Sequence, residues 1–296
     1  MTAVHASGGE AERTAHPRTA SYGRVVLEWM PPGAELMRDV SAADWVVHGT
    51  RPWDQDGARL HSLAPAAFPA YARVFHPARY RPGGAASLDP RDAIRRTELA
   101  AAHGVRLFPD ISFSEVLGDD ARDQEILDDM APADGRLVPE ACAVLAELLR
   151  AHTSTPERLR YCIWEGNGAF WSYAHTEIAA EAETAAERSL RRRAAEEQDR
   201  FLQSTPKVHT RLGDCFLFHG PLDAARRFEP DGWHVSPNLW WPADRAWVVI
   251  THIEGYSTYV AASRAAVDDI LASQLEAIEI TRDVHLDPNA FPPVWR

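Results

Sequence analysis

The chain has 296 residues, enough for one large domain or two ordinary ones that bury about 75% of the unfolded surface. Its hydrophobic content of 45% and charged content of 25% are typical of a soluble globular protein. The formal charge of −12 argues against nucleic acid as the main partner, because binding to phosphate backbones requires a basic surface.

Cysteine usage and the composition of the N-terminus predict a cytoplasmic protein. Cys142, Cys162 and Cys215 are far apart and odd in number, which fits reduced thiols better than a disulfide framework. Residues 1–22 are small, polar and turn-prone, so they predict a flexible tail, and they lack the apolar stretch of a secretory signal. Without an apolar run of 18 residues, no membrane span is expected, and we predict no membrane partner.

Turn and capping residues divide the first half of the chain into short elements. Asp89, Pro90 and Gly104 are the N-cap, first helical residue and terminator expected of a helix over 88–104. Apolar spacing predicts a second helix over 138–152. Aromatic and β-branched residues predict strands at 23–29, 43–49 and 68–77.

The second half of the chain is richer in strands. Residues 161–173 place two aromatic-rich arms around Gly166, Asn167 and Gly168, which predicts a β-hairpin. Further strands are predicted at 207–220, 246–255, 257–263 and 275–280, with a helix at 264–273.

Residues 177–202 are built mainly from alanine, glutamate and arginine and predict a long charged helix. Its apolar positions are mostly alanines, whose burial gains little free energy, so we expect a solvated helix inserted into the domain. The alternative is a partner-binding arm or a dimer helix, because alanines allow two helices to approach closely.

Strands and helices alternate without regular βαβ spacing, which favours an α+β fold. We expect a mixed, largely antiparallel sheet with flanking helices and one long charged helix. One domain is predicted over 23–296, with a candidate subdivision near 153–158.

The sequence contains no recognised catalytic or cofactor-binding motif. It has no phosphate-binding loop, no dinucleotide-binding glycine pattern, no nucleophile elbow and no His-Glu-x-x-His pair, so no cofactor is predicted. His209, Cys215 and His219 share one strand face and could bind zinc together with His234 or His252. His209 and Cys215 would, however, be about 20 Å apart on an extended strand, so we favour scattered histidines and predict no metal site.

Arg73 and His76 lie at the end of a predicted strand, just before Pro77. They could form a general acid with an anion clamp, because strand ends present functional side chains. The alternative is a turn in which the histidine caps a carbonyl.

The segment VSPNLWWPADRAWVVITHIEG, residues 235–255, contains three tryptophans. Trp240 and Trp241 are not expected in the same core, because neighbouring strand residues face opposite sides, so one should remain at the surface or lie beneath a loop. The tryptophans of this segment either pack in the hydrophobic core or form the wall of a cleft. The polar rim of such a cleft would be formed by Asp244, Arg245 and Glu254.

Segments of the chain resemble those of two known groups of proteins. FPAYARVFHP (68–77) and SPNLWWPADRAWVVITHIEGYSTYVAAS (236–263) resemble a group of proteins from high-GC Gram-positive bacteria, a resemblance that implies no activity. SLAPAAFPAYARVF and PADRAWVVITHI are similar in outline to the SUKH superfamily of intracellular α+β modules, many of which are immunity proteins. The Asn-Gly of that family is replaced here by His76-Pro77. The resemblance implies a binding role.

We therefore predict a cytosolic protein that acts by binding, through residues 233–254 and the hairpin 161–173. The candidate contact residues are Trp164, Trp171, His219, His234, Trp240, Trp241, Asp244, Arg245 and Glu254, with Arg73 and His76 second. The acidic surface favours another protein with basic patches as partner, and a small ligand is the other candidate. Self-association through 177–202 is a further expectation.

The alternative is an enzyme that uses His219 or His234 with Asp244 or Glu254 in the same cleft. An enzyme should show a histidine within hydrogen-bond reach of a carboxylate in a concave pocket. A binding module should show a flatter, exposed aromatic patch.

Overall fold

The computed structural model describes residues 30–53, 58–79, 93–132, 135–170, 184–229 and 234–286. The tail 1–22, the strand predicted at 23–29, Trp171 and Trp233 lie outside these ranges. The described strands are β1 Glu35–Leu36, β2 Ala70–Phe75, β3 Ala78–Arg79, β4 Ala93–Ile94, β5 Leu159–Trp164, β6 Val208–Thr210, β7 Gly213–Gly220, β8 Leu239–Pro242, β9 Val248–Thr251, β10 Ser257–Ala262 and β11 Ala277–Ile280. The described helices are α1 Asp44–His48, α2 Arg96–Ala102, α3 Phe113–Leu117, α4 Gln124–Met130, α5 Pro139–Arg150, α6 Ala185–Ser204 and α7 Arg264–Ala272.

Nine of the described strands form one sheet in the order β1-β7-β5-β8-β9-β10-β2-β11, with β6 also pairing with β7. Each pairing in this sheet is antiparallel. This confirms the predicted α+β class with a largely antiparallel sheet. No helix within the described ranges is long and apolar enough to cross a membrane.

Both faces of the sheet are covered, which produces two separate hydrophobic cores. Helices α5 and α7 pack on one face and form the first core, which contains Tyr161, Trp240 and Trp247. Helix α1 and the segment 60–64 pack on the other face and form the second core. A strand buried on both faces needs apolar residues at consecutive positions, and "LWWP" in β8 supplies them.

Two predicted elements differ from the structure in the first half of the chain. Residues 43–49 were expected as a strand, but Asp44–His48 is helix α1. Its buried residue Val46 lies three positions after the buried N-cap residue Ala43, a spacing that one helical turn places on one side. For the helix predicted over 88–104, the predicted cap Asp89 and Pro90 lie outside the described residues. Within them Ala93–Ile94 is strand β4, helix α2 begins at Arg96, and Gly104, with φ +68°, does follow its end.

The predicted hairpin at 161–173 is wrong in its pairing. Strand β5 has β7 on one side and β8 on the other, so both of its edges are occupied by distant strands. Residues 207–220 instead contain a hairpin, in which β6 and β7 are joined by a turn that ends at Gly213 with φ +102°. Only glycine adopts this backbone conformation readily.

Helix α6 accounts for the described part of the predicted charged helix. Its first half is largely exposed, whereas Leu202 near its end packs against the first core. The described side chains of its N-terminal half are therefore mostly exposed in the single chain, which is compatible both with a solvated helix and with an interface between two copies.

Candidate functional site

A cavity of about 220 Å³ lies at one end of the sheet, where β5 and β9 end and β8 begins. We call it the strand-end cavity. Its described lining comes from three separate parts of the chain: Gly135, Arg136, Trp164, Gly166, Asn167, Gly168, Asn238 and Ile253. It therefore brings the 161–170 segment and the 234–255 segment together, as the two halves of one concave wall.

Two glycines leave the space that the Trp164 indole occupies. A Cβ atom at Gly166 would lie 2.3 Å from the Trp164 ring, and one at Gly213 would lie 2.9 Å from the indole Nε1. Any larger residue at either position would collide with the indole. The glycines of "WEGNG" and "RLGD" thus let the half-buried indole lie against the backbone and present its free surface to the cavity.

Asn238 joins the strand ends beneath the cavity. Its side-chain Oδ1 accepts a hydrogen bond from the Trp164 backbone N–H at 2.9 Å. Its own backbone N–H donates to the Cys162 carbonyl at 2.9 Å, and its carbonyl accepts from Thr251 at 2.7 Å. The side chain is buried, so these bonds fix β5, β8 and β9 relative to one another at low dielectric.

The opposite wall depends on Gly135. Its N–H donates to the Gly255 carbonyl at 3.1 Å, and its φ is +65°. A Cβ atom here would lie 2.1 Å from the Ile253 carbonyl oxygen, a distance that no side chain can adopt. Gly135 therefore permits the loop that carries Arg136 to cross directly over the turn after β9.

His234 and Glu254 lie close to this site in the structure. Burial and the neighbouring Arg136 guanidinium lower the pKa of His234 to about 4, so its ring is neutral at pH 7. Glu254 is exposed in the turn after β9, and its backbone N–H donates to His252 Nδ1 at 3.2 Å. Burial lowers the pKa of His252 to about 4 as well.

Asp244 lies at the opposite end of β8 and holds a loop together. Its carboxylate accepts hydrogen bonds from the Thr153 hydroxyl at 2.9 Å and from the Ser154 backbone N–H at 2.6 Å. Burial raises the pKa of Asp244, but the hydrogen bonds from Ser154, Thr153 and Ala246 outweigh it and lower that pKa overall. This carboxylate is thus engaged in local structure, away from the cavity.

Arg245 and His219 are also placed elsewhere. The Arg245 guanidinium lies over the Trp45 ring, 5.2 Å from its centroid. His219 Nε2 lies 3.3 Å from Glu35 at the β1 edge of the sheet, so its carboxylate neighbour is neither Asp244 nor Glu254.

Trp240 and Trp241 are both buried, each 1% exposed. Alternation along β8 sends Trp240 to the first core and Trp241 to the second. We expected the two rings to occupy different sides, and they do, but neither remains at the surface because both faces of the sheet are covered. Neither ring can contact a ligand at the strand-end cavity.

Arg73 and His76 are buried inside the domain and are not exposed at a strand end. Arg73 donates to the Ser257 hydroxyl at 3.0 Å and to the Pro109 carbonyl at 2.8 Å. His76 Nε2 is 2.9 Å from the Thr258 hydroxyl. The pair connects β2 to β10 and to the loop before α3, which is closer to the structural alternative than to an anion clamp.

The turn between β6 and β7 brings His209 beside Asp214 and not beside Cys215. His209 Nδ1 is 2.7 Å from the Asp214 carboxylate. In the part of the chain that the structure describes, no group of three or more His, Cys, Asp or Glu side chains has the arrangement of a metal site.

Sequence reasoning missed Gly135, Arg136, Asn167 and Asn238 as site residues. Asn238 carried the clearest signal, because a polar residue directly before a fully apolar strand requires hydrogen-bond partners once it is buried. Comparison with protein-family models, curated proteins and solved structures finds no match.

Proposed function

We propose that the protein binds a small ligand in the strand-end cavity, with the Trp164 indole as one wall. The observation that carries this proposal is the cavity itself, whose lining combines an aromatic ring, a guanidinium, the Asn167 amide and glycine backbone. Ligand sites combine apolar or aromatic surface with a few placed polar groups in this way. The ligand that fits is a small molecule with a flat ring and polar substituents, bound by a cytoplasmic protein.

The exposure of the aromatic residues supports a small ligand over a large partner docked on a tryptophan surface. Within the described residues, the exposed large hydrophobic side chains are Phe108 and Leu190. Both lie outside the predicted binding regions 161–173 and 233–254. Among the described tryptophans of the predicted binding regions, Trp164 is half-buried and Trp240 and Trp241 are buried, which favours a small ligand over a protein docked on a flat aromatic patch.

Binding is also favoured over catalysis at this cavity. The described lining residues include neither a histidine nor a carboxylate, the pair that the enzyme hypothesis requires. His234 lies beside the wall, and its low pKa makes it a poor proton acceptor near pH 7.

Fluorine NMR of the protein labelled with 5-fluorotryptophan tests the proposal. The chain has ten tryptophans, and the Trp164→Phe variant assigns the Trp164 resonance by its loss. Nucleosides and aromatic amino acids, the two classes with a flat ring, are added separately. We expect at least one class to shift the Trp164 resonance, because its ring lines the cavity.

The internal control is the pair of buried rings Trp240 and Trp241, whose resonances should move little. Gly166→Ala should abolish the response, because the added methyl group displaces the indole. If no class shifts the Trp164 resonance, or if the Gly166→Ala protein responds as the parent does, the proposal is wrong.

We also propose that α6 mediates self-association, because its charges are separated along its length. Arginines predominate in the first half, at 188 and 191–193 beside Glu187, and acids predominate in the second, at 196, 197 and 199 before Arg200. Two copies packed antiparallel would place the basic half of each helix against the acidic half of the other, as a two-fold symmetric interface requires. Within one helix, the Arg192 and Glu196 side chains approach only to 3.8 Å on the exposed surface.

Light scattering on charge-reversed variants tests this interface. R192E/R193E makes both halves acidic, so we expect it to lower the molar mass from dimer to monomer. The full reversal R192E/R193E/E196R/E197R restores complementarity and should restore the dimer. A parent protein that is monomeric, or a half-reversed variant that stays dimeric, would contradict this role for α6.

A further inference from the structure

A second cavity, of about 230 Å³, lies on the other side of the sheet between α1, the segment 60–63 and the β6–β7 hairpin. We call it the hairpin cavity. It shares no lining residue with the strand-end cavity, so an inference about it stands independently of the proposed function.

The floor of the hairpin cavity is apolar. It consists of aliphatic side chains from α1, the 60–63 segment, the hairpin turn and β8: Val46, Val47, Leu63, Leu212 and Leu239. Four of these residues belong to the second core, which keeps the floor rigid: Val46, Leu63, Leu212 and Leu239. Such a surface favours a hydrocarbon chain over a polar group, by about 25 cal/mol for each Å² removed from water.

The rim of the hairpin cavity is cationic. Arg211 lies in the exposed hairpin turn, and His209 lies beside it. The Asp214 carboxylate, 2.7 Å from His209 Nδ1, accepts a hydrogen bond from that nitrogen and fixes the imidazole ring, so the anion-binding group of the rim is the Arg211 guanidinium. Arginine is well suited to carboxylates, because its planar fork donates two parallel hydrogen bonds.

The other polar residues of the lining do not compete for this role. The Thr50 hydroxyl donates to the Val47 carbonyl at 2.8 Å, and the Ser62 hydroxyl donates to the Pro52 carbonyl at 3.0 Å. The Thr210 hydroxyl donates to the Gly213 carbonyl at 2.8 Å. Each of the three hydroxyl protons is therefore already used within the protein, and Arg211 remains as the donor for an anion.

We propose that the hairpin cavity binds a small monocarboxylic acid with a short hydrocarbon chain. The chain packs on the aliphatic floor, and the carboxylate meets Arg211 at the rim. The cavity is smaller than the sites that hold drug-sized ligands, which restricts the acid to a few carbons.

Titration calorimetry of the full chain with hexanoate, and with hexan-1-ol as the uncharged analogue, tests this proposal. We expect hexanoate to bind and hexan-1-ol to bind about tenfold or more weakly, because a charge-assisted hydrogen bond is lost. Arg211→Gln should weaken hexanoate binding by a similar factor and leave hexan-1-ol unchanged.

Two controls keep the result interpretable. Arg193→Gln removes an exposed arginine of α6 and should leave hexanoate binding as in the parent. Gly135→Ala alters the strand-end cavity at its contact with Ile253, away from the β6–β7 hairpin, so it should disturb the proposed ligand response there and spare hexanoate binding here. Absence of hexanoate binding to the folded protein, equal affinity for hexan-1-ol, or no effect of Arg211→Gln would each overturn the proposal.

Discussion

Replacing Trp247 with alanine is expected to lower the free energy of unfolding by about 3–5 kcal/mol. The ring is fully buried in the first core and packs edge-on against Trp240, with ring centroids 5.2 Å apart. Its Nε1 also donates to the Leu149 carbonyl near the end of α5, at 3.1 Å. The substitution therefore leaves a cavity and removes one hydrogen bond between α5 and the residue that precedes β9.

Urea unfolding of the two proteins measures this difference, and Trp164→Ala is the matched comparison. Trp164 is half-buried at the strand-end cavity, so its truncation should cost only about 1–2 kcal/mol. Equal losses from the two substitutions would show that the two rings do not differ in burial as described.

Replacing Gly135 with alanine is expected to lower the free energy of unfolding by about 2–4 kcal/mol. The positive φ of +65° strains any other residue, and the new methyl group would lie 2.1 Å from the Ile253 carbonyl oxygen. The loop must move away from the turn after β9, which breaks the hydrogen bond from Gly135 to Gly255. The strand-end cavity should lose the wall that carries Arg136.

Gly104→Ala separates backbone strain from collision. Gly104 has a closely similar φ of +68°, but nothing lies within 4 Å of the position that its Cβ would occupy. We therefore expect a loss of about 1 kcal/mol at Gly104 in the same urea experiment. If the two alanine variants were equally stable, the close crossing at Gly135 would be contradicted.

The fold class and several elements could be predicted because their signals are local. Helix α5 follows from apolar spacing, and β2 follows from a run of aromatic and β-branched residues. The strand assignment at 43–49 failed because five residues with two valines satisfy either period. Short apolar runs do not distinguish a helix from a strand.

Other features depend on residues that are distant in sequence. Helix α2 begins at Arg96 because the Glu276 carboxylate accepts hydrogen bonds from the backbone N–H groups of Arg96 and Thr97. A cap supplied from 180 positions away leaves no local trace. Likewise, β5 cannot form the predicted hairpin because β7 and β8 occupy its two edges.

Only part of the candidate site could be predicted, because the rest of it depends on residues that are distant in sequence. Trp164 could be proposed from its aromatic neighbourhood, whereas the roles of Gly135 and Asn238 depend on which loops meet at the end of the sheet. Trp240 and Trp241 were candidates because the sequence does not reveal that α1 covers the second face.

The solvent isotope shift of the 5-fluorotryptophan resonances tests most directly whether Trp164 faces a water-filled cavity while the core rings are sealed. Spectra of the labelled protein are recorded in H₂O and in D₂O, with each resonance assigned by a Trp→Phe variant. The structure predicts a shift for Trp164 and none for Trp240, Trp241 and Trp247. An unshifted Trp164 resonance, or shifts at the three buried rings, would contradict the strand-end cavity as the binding site.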